Sequence, residues 1–170
     1  LVGVDIGSSA VKAVSLSTDE GQHTVTAAAM MQIPASDDDE KARTQNTASA
    51  LKACLGSMGV KTRAAVCGVS GPEVAVRDFR FPVLPPGELE TAVMLEAKQV
   101  WPFNTDRGTG DYQILSEKDN QIAGVLVAAT NRLVVDRVSI ARNSSLDCVL
   151  MDVDGLALLN CYKQSEQKHD

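Results

Sequence analysis

The chain has 170 residues, 44% of them hydrophobic and 22% charged, with a net charge of −6. That is the composition of a folded protein, and the length suits one large domain or two small ones sharing a core. The acidic balance argues against a nucleic-acid partner, no apolar run approaches the roughly 20 residues that cross a bilayer, and no signal peptide is visible.

The chain opens at Leu1 inside a strand, without an initiator Met, as a piece of a longer chain would. Residues Val2 to Lys12 read VGVDIGSSAVK: an apolar strand with an Asp near its end, a Gly-Ser-Ser turn, and a second strand carrying a Lys. A strand keeps an Asp only if the carboxylate has a partner. A turn of Gly and Ser lets backbone N–H groups and hydroxyls come close to an anion. One reading is a phosphate grip, with Gly7, Ser8 and Ser9 around the phosphates, Lys12 as counter-charge and Asp5 facing a hydrated metal ion. The other is a tight β-hairpin with a surface Lys and an Asp bonded to backbone N–H groups.

Strands are expected at 2–6, 10–16 and 24–33, with Thr18-Asp19-Glu20-Gly21 turning the second into the third. The acidic run from Asp37 to Glu40 suits the start of a helix, where carboxylates complement the dipole. That helix runs to Met58, with Ala50, Leu51, Cys54 and Leu55 as its apolar stripe and Gly56 and Gly59 at its end. A short buried strand follows at 63–69.

The rhythm changes at Ser70-Gly71-Pro72. Val74, Val76 and Phe79 mark a strand that ends in a Pro-rich cluster. A helix over 88–100 then places Leu89, Ala92, Val93, Ala97 and Val100 on one face, and Pro102 stops it. A hairpin at 111–116 and 121–130 turns around Lys118-Asp119-Asn120, and a helix spans 132–143. Residues 73–145 therefore read as a βαββα insertion with its own small core. Residues 1–72 and 146–170 form the other domain, which closes with a strand at 146–153 and a helix capped by Asp154. Asp152 ends that strand and is placed to face a cleft.

Cys54, Cys67, Cys148 and Cys161 lack metal-site spacing and read as buried, reduced thiols. Trp101 and Phe103 either anchor a partner or close the insertion's core. Arg77 and Arg80 alternate imperfectly with Phe79 and Phe81, which leaves at least one Arg exposed.

Several separated stretches resemble one family. VGVDIGSSAVKAVSL (Val2–Leu16) is similar to the first phosphate loop of the actin-like ATPases, a motif shared with sugar kinases. GPEVAVRDFRFPVLPPGELETAVMLEAKQVWPF (Gly71–Phe103) resembles the inserted subdomain of the PilM family of type IV pilus assembly proteins, relatives of the cell-division protein FtsA. DYQIL (Asp111–Leu115), VLVAATNRLVVDR (Val125–Arg137) and VLMDVDGLALLN (Val149–Asn160) fit the same family in the same order. The resemblance implies an α/β, actin-like (ribonuclease H-like) nucleotide subdomain carrying an FtsA/PilM-type insertion. It further implies a cytoplasmic scaffold, peripheral at the inner membrane within the pilus assembly complex, that holds ATP or ADP with Mg. The phosphate contacts fall on Asp5, Gly7, Ser8, Ser9 and Lys12. In the family, a groove between the two subdomains receives the cytoplasmic N-terminal peptide of PilN. Arg77, Phe79, Leu89 and Trp101 are candidate contacts.

Family members continue into a second half with another phosphate loop, so this chain is either an excised fragment or a natural half-protein. By itself it is expected to hold no nucleotide tightly and to hydrolyse none, and an apolar face left open would favour self-association. The alternative from another class is an active ATPase or small-molecule kinase of the same fold, for which no convincing acid–base carboxylate stands out beyond Asp5 and Asp152. A third is a secretion-system relative that has kept the fold and lost nucleotide.

Overall fold

A computed structural model describes residues 1–36, 39–85, 87–101 and 107–166. The chain begins as an antiparallel meander. Strand β1 (Val2–Ile6) pairs with β2 (Ala10–Asp19), and β2 with β3 (Gln22–Gln32). Glu20 and Gly21 both have positive φ, 46° and 80°. They form the tight two-residue turn that matches the twist of a hairpin. Helix α1 (Glu40–Met58) starts at Asp39, whose carboxylate accepts from the Lys41 N–H at 2.9 Å, and ends at Gly59 with φ 63°. Asp37 and Asp38, the first part of the expected acidic helix start, lie outside the described residues.

Strand β4 (Ala64–Val69) then pairs parallel to β1, and β8 (Asp147–Val153) pairs parallel to β4. The result is a five-stranded mixed sheet in the order β3-β2-β1-β4-β8. Strand alternation sorts its side chains. Val2, Val4, Ile6, Val11, Ala13, Ala65 and Cys67 point to one face, where Ala48, Leu51 and Cys54 of α1 cover them. Ile140 and Ala141 of helix α3 (Asn131–Asn143) complete that core. Helix α4 (Asp154–Glu166) follows β8.

Between β4 and α3 lies the insertion. Strands β5 (Val74–Pro82), β6 (Gly108–Lys118) and β7 (Gln121–Thr130) form an antiparallel sheet in the order β5-β7-β6. Helix α2 (Glu88–Val100) packs Val93 and Ala97 against Phe79, Ile122 and Leu126. Asp119 and Asn120, at φ 52° and 59°, turn β6 into β7. Two positions on this sheet leave little or no room for a Cβ. A Cβ on Gly124 would strike the Phe79 ring and the Gln113 carbonyl, and one on Gly110 would meet the Trp101 ring and the Val127 carbonyl at 3.0 Å.

The chain divides into two compact units, Leu1–Ser70 with Val135–Asp170, and Gly71–Val134. The second boundary expected from sequence lies at 145/146; in the structure it falls within α3. The physical reason is visible along that helix. Leu133 N–H donates to the Thr130 hydroxyl (3.2 Å) in the insertion, whereas Ile140, Ala141 and Ser144 belong to the first unit, with the Ser144 hydroxyl 3.1 Å from the Ala48 carbonyl of α1. Cys54 and Cys67 are buried free thiols as expected, but Cys148 is half-buried and Cys161 is exposed on α4. No helix among the described residues is long and apolar enough to cross a membrane.

Candidate functional site

The second face of the five-stranded sheet carries Asp5, Lys12 and Asp152 among small and apolar side chains. Because β1 and β2 are antiparallel with Asp5 opposite Lys12, those two residues project from the same face. The Lys12 ammonium donates to Asp5 Oδ2 at 2.7 Å, with the side chains 59% and 42% exposed. The bond and the charge of Asp5 raise the Lys12 pKa, and the charge of Asp154 acts in the same direction. The carboxylate thus has the partner that a strand Asp needs, and Lys12 stays a solvent-facing cation.

The Gly7–Ser9 turn follows directly. Gly7 N–H donates to the Ala10 carbonyl (3.0 Å) and closes the turn, and Ile33 N–H donates to the Ser9 carbonyl (2.8 Å), tying it to the end of β3. The Gly7 amide, expected to face phosphate, is therefore spent on the turn itself. Ser8 and Ser9 are exposed. Among the described residues their hydroxyls have no hydrogen-bond partner within the protein.

Beside this pair lies a cavity of about 540 Å³, lined by Asp5, Lys12, Gly68, Asp152, Asp154 and Ala157, with Gly3, Val14, Met30 and Val66 among its apolar lining. That volume is within the usual range for small-molecule sites. Asp152 Oδ1 accepts from the Val153 N–H at 2.7 Å. Asp154 corrects the sequence reading. It is the first residue of α4, and its carboxylate lies directly over Gly68, in space that any Cβ there would occupy. Among the described residues it takes no capping hydrogen bond. The signal for it was a glycine inside a buried strand, which marks a close approach.

Three carboxylates and one ammonium thus line one cavity with otherwise apolar walls; Lys12 is the group there that could pair with an anion, and the carboxylates could face a hydrated cation. Among the described residues no three Asp, Glu, His or Cys side chains converge closely enough to hold an ion by themselves. A metal ion beside these carboxylates would have to keep most of its water, as Mg²⁺ does.

The four expected partner contacts separate by burial. Arg77 is exposed, with its guanidinium donating to the Val76 carbonyl at 2.9 Å. Phe79 is 5% exposed and is a core residue of the insertion, its ring tilted against Phe81 at 5.7 Å and edge-on to Tyr112 at 6.0 Å. Strand alternation puts its ring under α2, so it offers a partner no surface. Leu89 and Trp101 are half-buried against the same core. Phe103, Pro102 and the side chain of Val100 lie outside the described residues.

The family model for type IV pilus assembly protein PilM matches residues 3–168. The chain belongs to the PilM family. Among solved structures it is similar to a chain of a PilM–PilN type IV pilus biogenesis complex, with 26% identity and a TM-score of 0.79 over 92% of this chain and 48% of that one. It also shares its fold with the cytoplasmic domain of EpsL, an inner membrane component of the type II secretion system of Vibrio cholerae. There the identity is 11% and the TM-score 0.54, over 89% of this chain and 56% of that one. The chain spans about half the length of these solved relatives. The fold is thus the actin-like α/β fold with its FtsA/PilM-type insertion.

Proposed function

We propose that this chain forms the first lobe of an actin-like scaffold for type IV pilus assembly, which in the full-length protein holds ATP or ADP with Mg against the open face of its five-stranded sheet. The observation that carries this reading is the Asp5–Lys12 pair at the base of an exposed Gly-Ser-Ser turn, beside a cavity also lined by Asp152 and Asp154. Lys12 supplies the counter-charge to the phosphates, the Ser8 and Ser9 hydroxyls donate to them, and Asp5 holds Lys12 in place and faces the hydration shell of the metal. Gly7 serves by closing the turn. Bound nucleotide acts here as a ligand that orders the scaffold.

The second part of the proposal concerns the partner. A PilM relative has been solved with PilN, which supports a PilN-like cytoplasmic peptide as the ligand of this chain too. That peptide would hold the scaffold at the inner membrane from the cytoplasmic side. An extended peptide gains backbone hydrogen bonds and apolar anchors together, and Arg77 is the exposed candidate for its recognition.

One wall of a site binds poorly. Charge-assisted hydrogen bonds contribute about 1.5–3 kcal/mol each, and association costs about 4–15 kcal/mol in lost freedom. The present chain alone therefore holds Mg-ATP only weakly. The test is titration calorimetry of the full-length protein with Mg-ATP, with and without Lys12→Met. Removing the charge and its hydrogen bonds weakens binding by about ten- to a hundredfold; equal affinity of the two proteins overturns the nucleotide reading.

A further inference from the structure

Helix α3 brings a cation to the start of the Gly7–Ser9 turn. The Arg137 Nη2 donates to the carbonyl of Ile6, the residue just before Gly7, in a long bond of 3.4 Å. Its Nη1 donates to Asp136 Oδ2 at 3.1 Å, and the other oxygen of Asp136 accepts from the Thr44 hydroxyl of α1 at 3.5 Å. The charge of Arg137 also acts on the Cys67 thiol of β4, opposing its rise. The side chain is only 16% exposed, and among the described residues its buried Nε–H has no hydrogen-bond partner.

This is an expensive way to fill space. A buried unpaired N–H costs about 1–3 kcal/mol, and apolar side chains replace buried charged groups with little or no loss of stability. A packing role alone therefore gives no reason for an arginine here. A backbone carbonyl at the mouth of an anion-binding turn does give one. Its position sets where the turn begins, and a nearby guanidinium adds fixed positive charge that needs no reorganisation when an anion arrives.

We propose that Arg137 is a positioning residue for the phosphate turn: it pins the Ile6 carbonyl, and through it the Gly7–Ser9 segment, from a helix outside the hairpin. The inference rests on reading that turn as a phosphate grip. Arg137 itself touches neither phosphate nor metal.

The test uses the full-length protein as wild type, Arg137→Met, Arg137→Lys and Lys12→Met. Two hydrogen-bonded amides report on the turn, Gly7 N–H and Ile33 N–H. Their hydrogen exchange, followed by NMR without nucleotide, is expected to quicken about tenfold in Arg137→Met relative to amides of β4, with partial recovery in Arg137→Lys; Mg-ATP affinity in Arg137→Met falls about tenfold. Unchanged exchange at these two amides, or equal acceleration across β4 and α1, overturns the inference and leaves Arg137 a packing residue. Equal Mg-ATP affinity of Lys12→Met and wild type overturns the nucleotide reading instead. In that case the exchange measurement, which needs no nucleotide, still decides the role of Arg137.

Discussion

Two side chains show how far single residues can be read from their neighbours in sequence. Phe79 and Arg77 are two apart on β5, so alternation aims them at the same side of the strand, yet one is core and the other solvent-exposed. Phe79→Ala is therefore expected to cost about 3–5 kcal/mol in urea unfolding, whereas Arg77→Ala stays within about 0.5 kcal/mol and, on the reading proposed above, weakens peptide binding instead. Cys67 gives a pH-dependent prediction. Its thiol is pushed up from 9.0 to about 12, by burial first and then by Cys148. Between those values the unfolded chain releases the proton and the folded chain keeps it, so stability falls as pH rises from about 9 to about 12, by at most about 1.4 kcal/mol per pH unit for this group. The raised Lys12 and Cys54 act with the same sign. Urea midpoints at pH 8 and pH 10.5 check this: Cys67→Ala flattens the slope without abolishing it.

Helices and strands were mostly legible because their ends carry local chemistry. Asp39 and Gly59 bracket α1, and its bounds at Glu40 and Met58 coincide with those read from sequence. The hairpins were underestimated in length. β2 and β3 run on to Asp19 and Gln22, and β6 begins at Gly108. The outer residues of β2 and β3 are polar and exposed, and β6 opens on Gly108-Thr109-Gly110, so backbone pairing holds these ends without an apolar side chain, and hydrophobic pattern alone does not register that. Gly124 was silent in sequence for a related reason. Only the fold reveals that β7 passes beneath the Phe79 ring there. Gly124→Ala is expected to destabilise the insertion by about 1–3 kcal/mol through overpacking, read as a lower thermal midpoint; an unchanged midpoint would mean that the β5-β7-β6 sheet yields more easily than its packing implies.

For the molecule as a whole, fold and family were legible from motifs, but the division between units was not. Periodicity says that a helix has an apolar face, not which of two cores receives it, and α3 turns out to serve both units in succession. Of the candidate site, the Asp5–Lys12 pair was legible, because Asp5, the turn and Lys12 are contiguous in sequence. Asp154 and Arg137 were not, since each reaches the cavity or the turn from an element far along the chain. Trp101 adds a practical dividend. It is the sole tryptophan, and its ring is seated over Gly110 in the insertion. Ultraviolet-excited emission at long wavelength therefore reports on one unit and is blind to the other. Binding of the proposed peptide, if it reaches the insertion, can be followed in label-free optical titrations, while events at the Asp5–Lys12 face leave that signal dark unless the two units communicate.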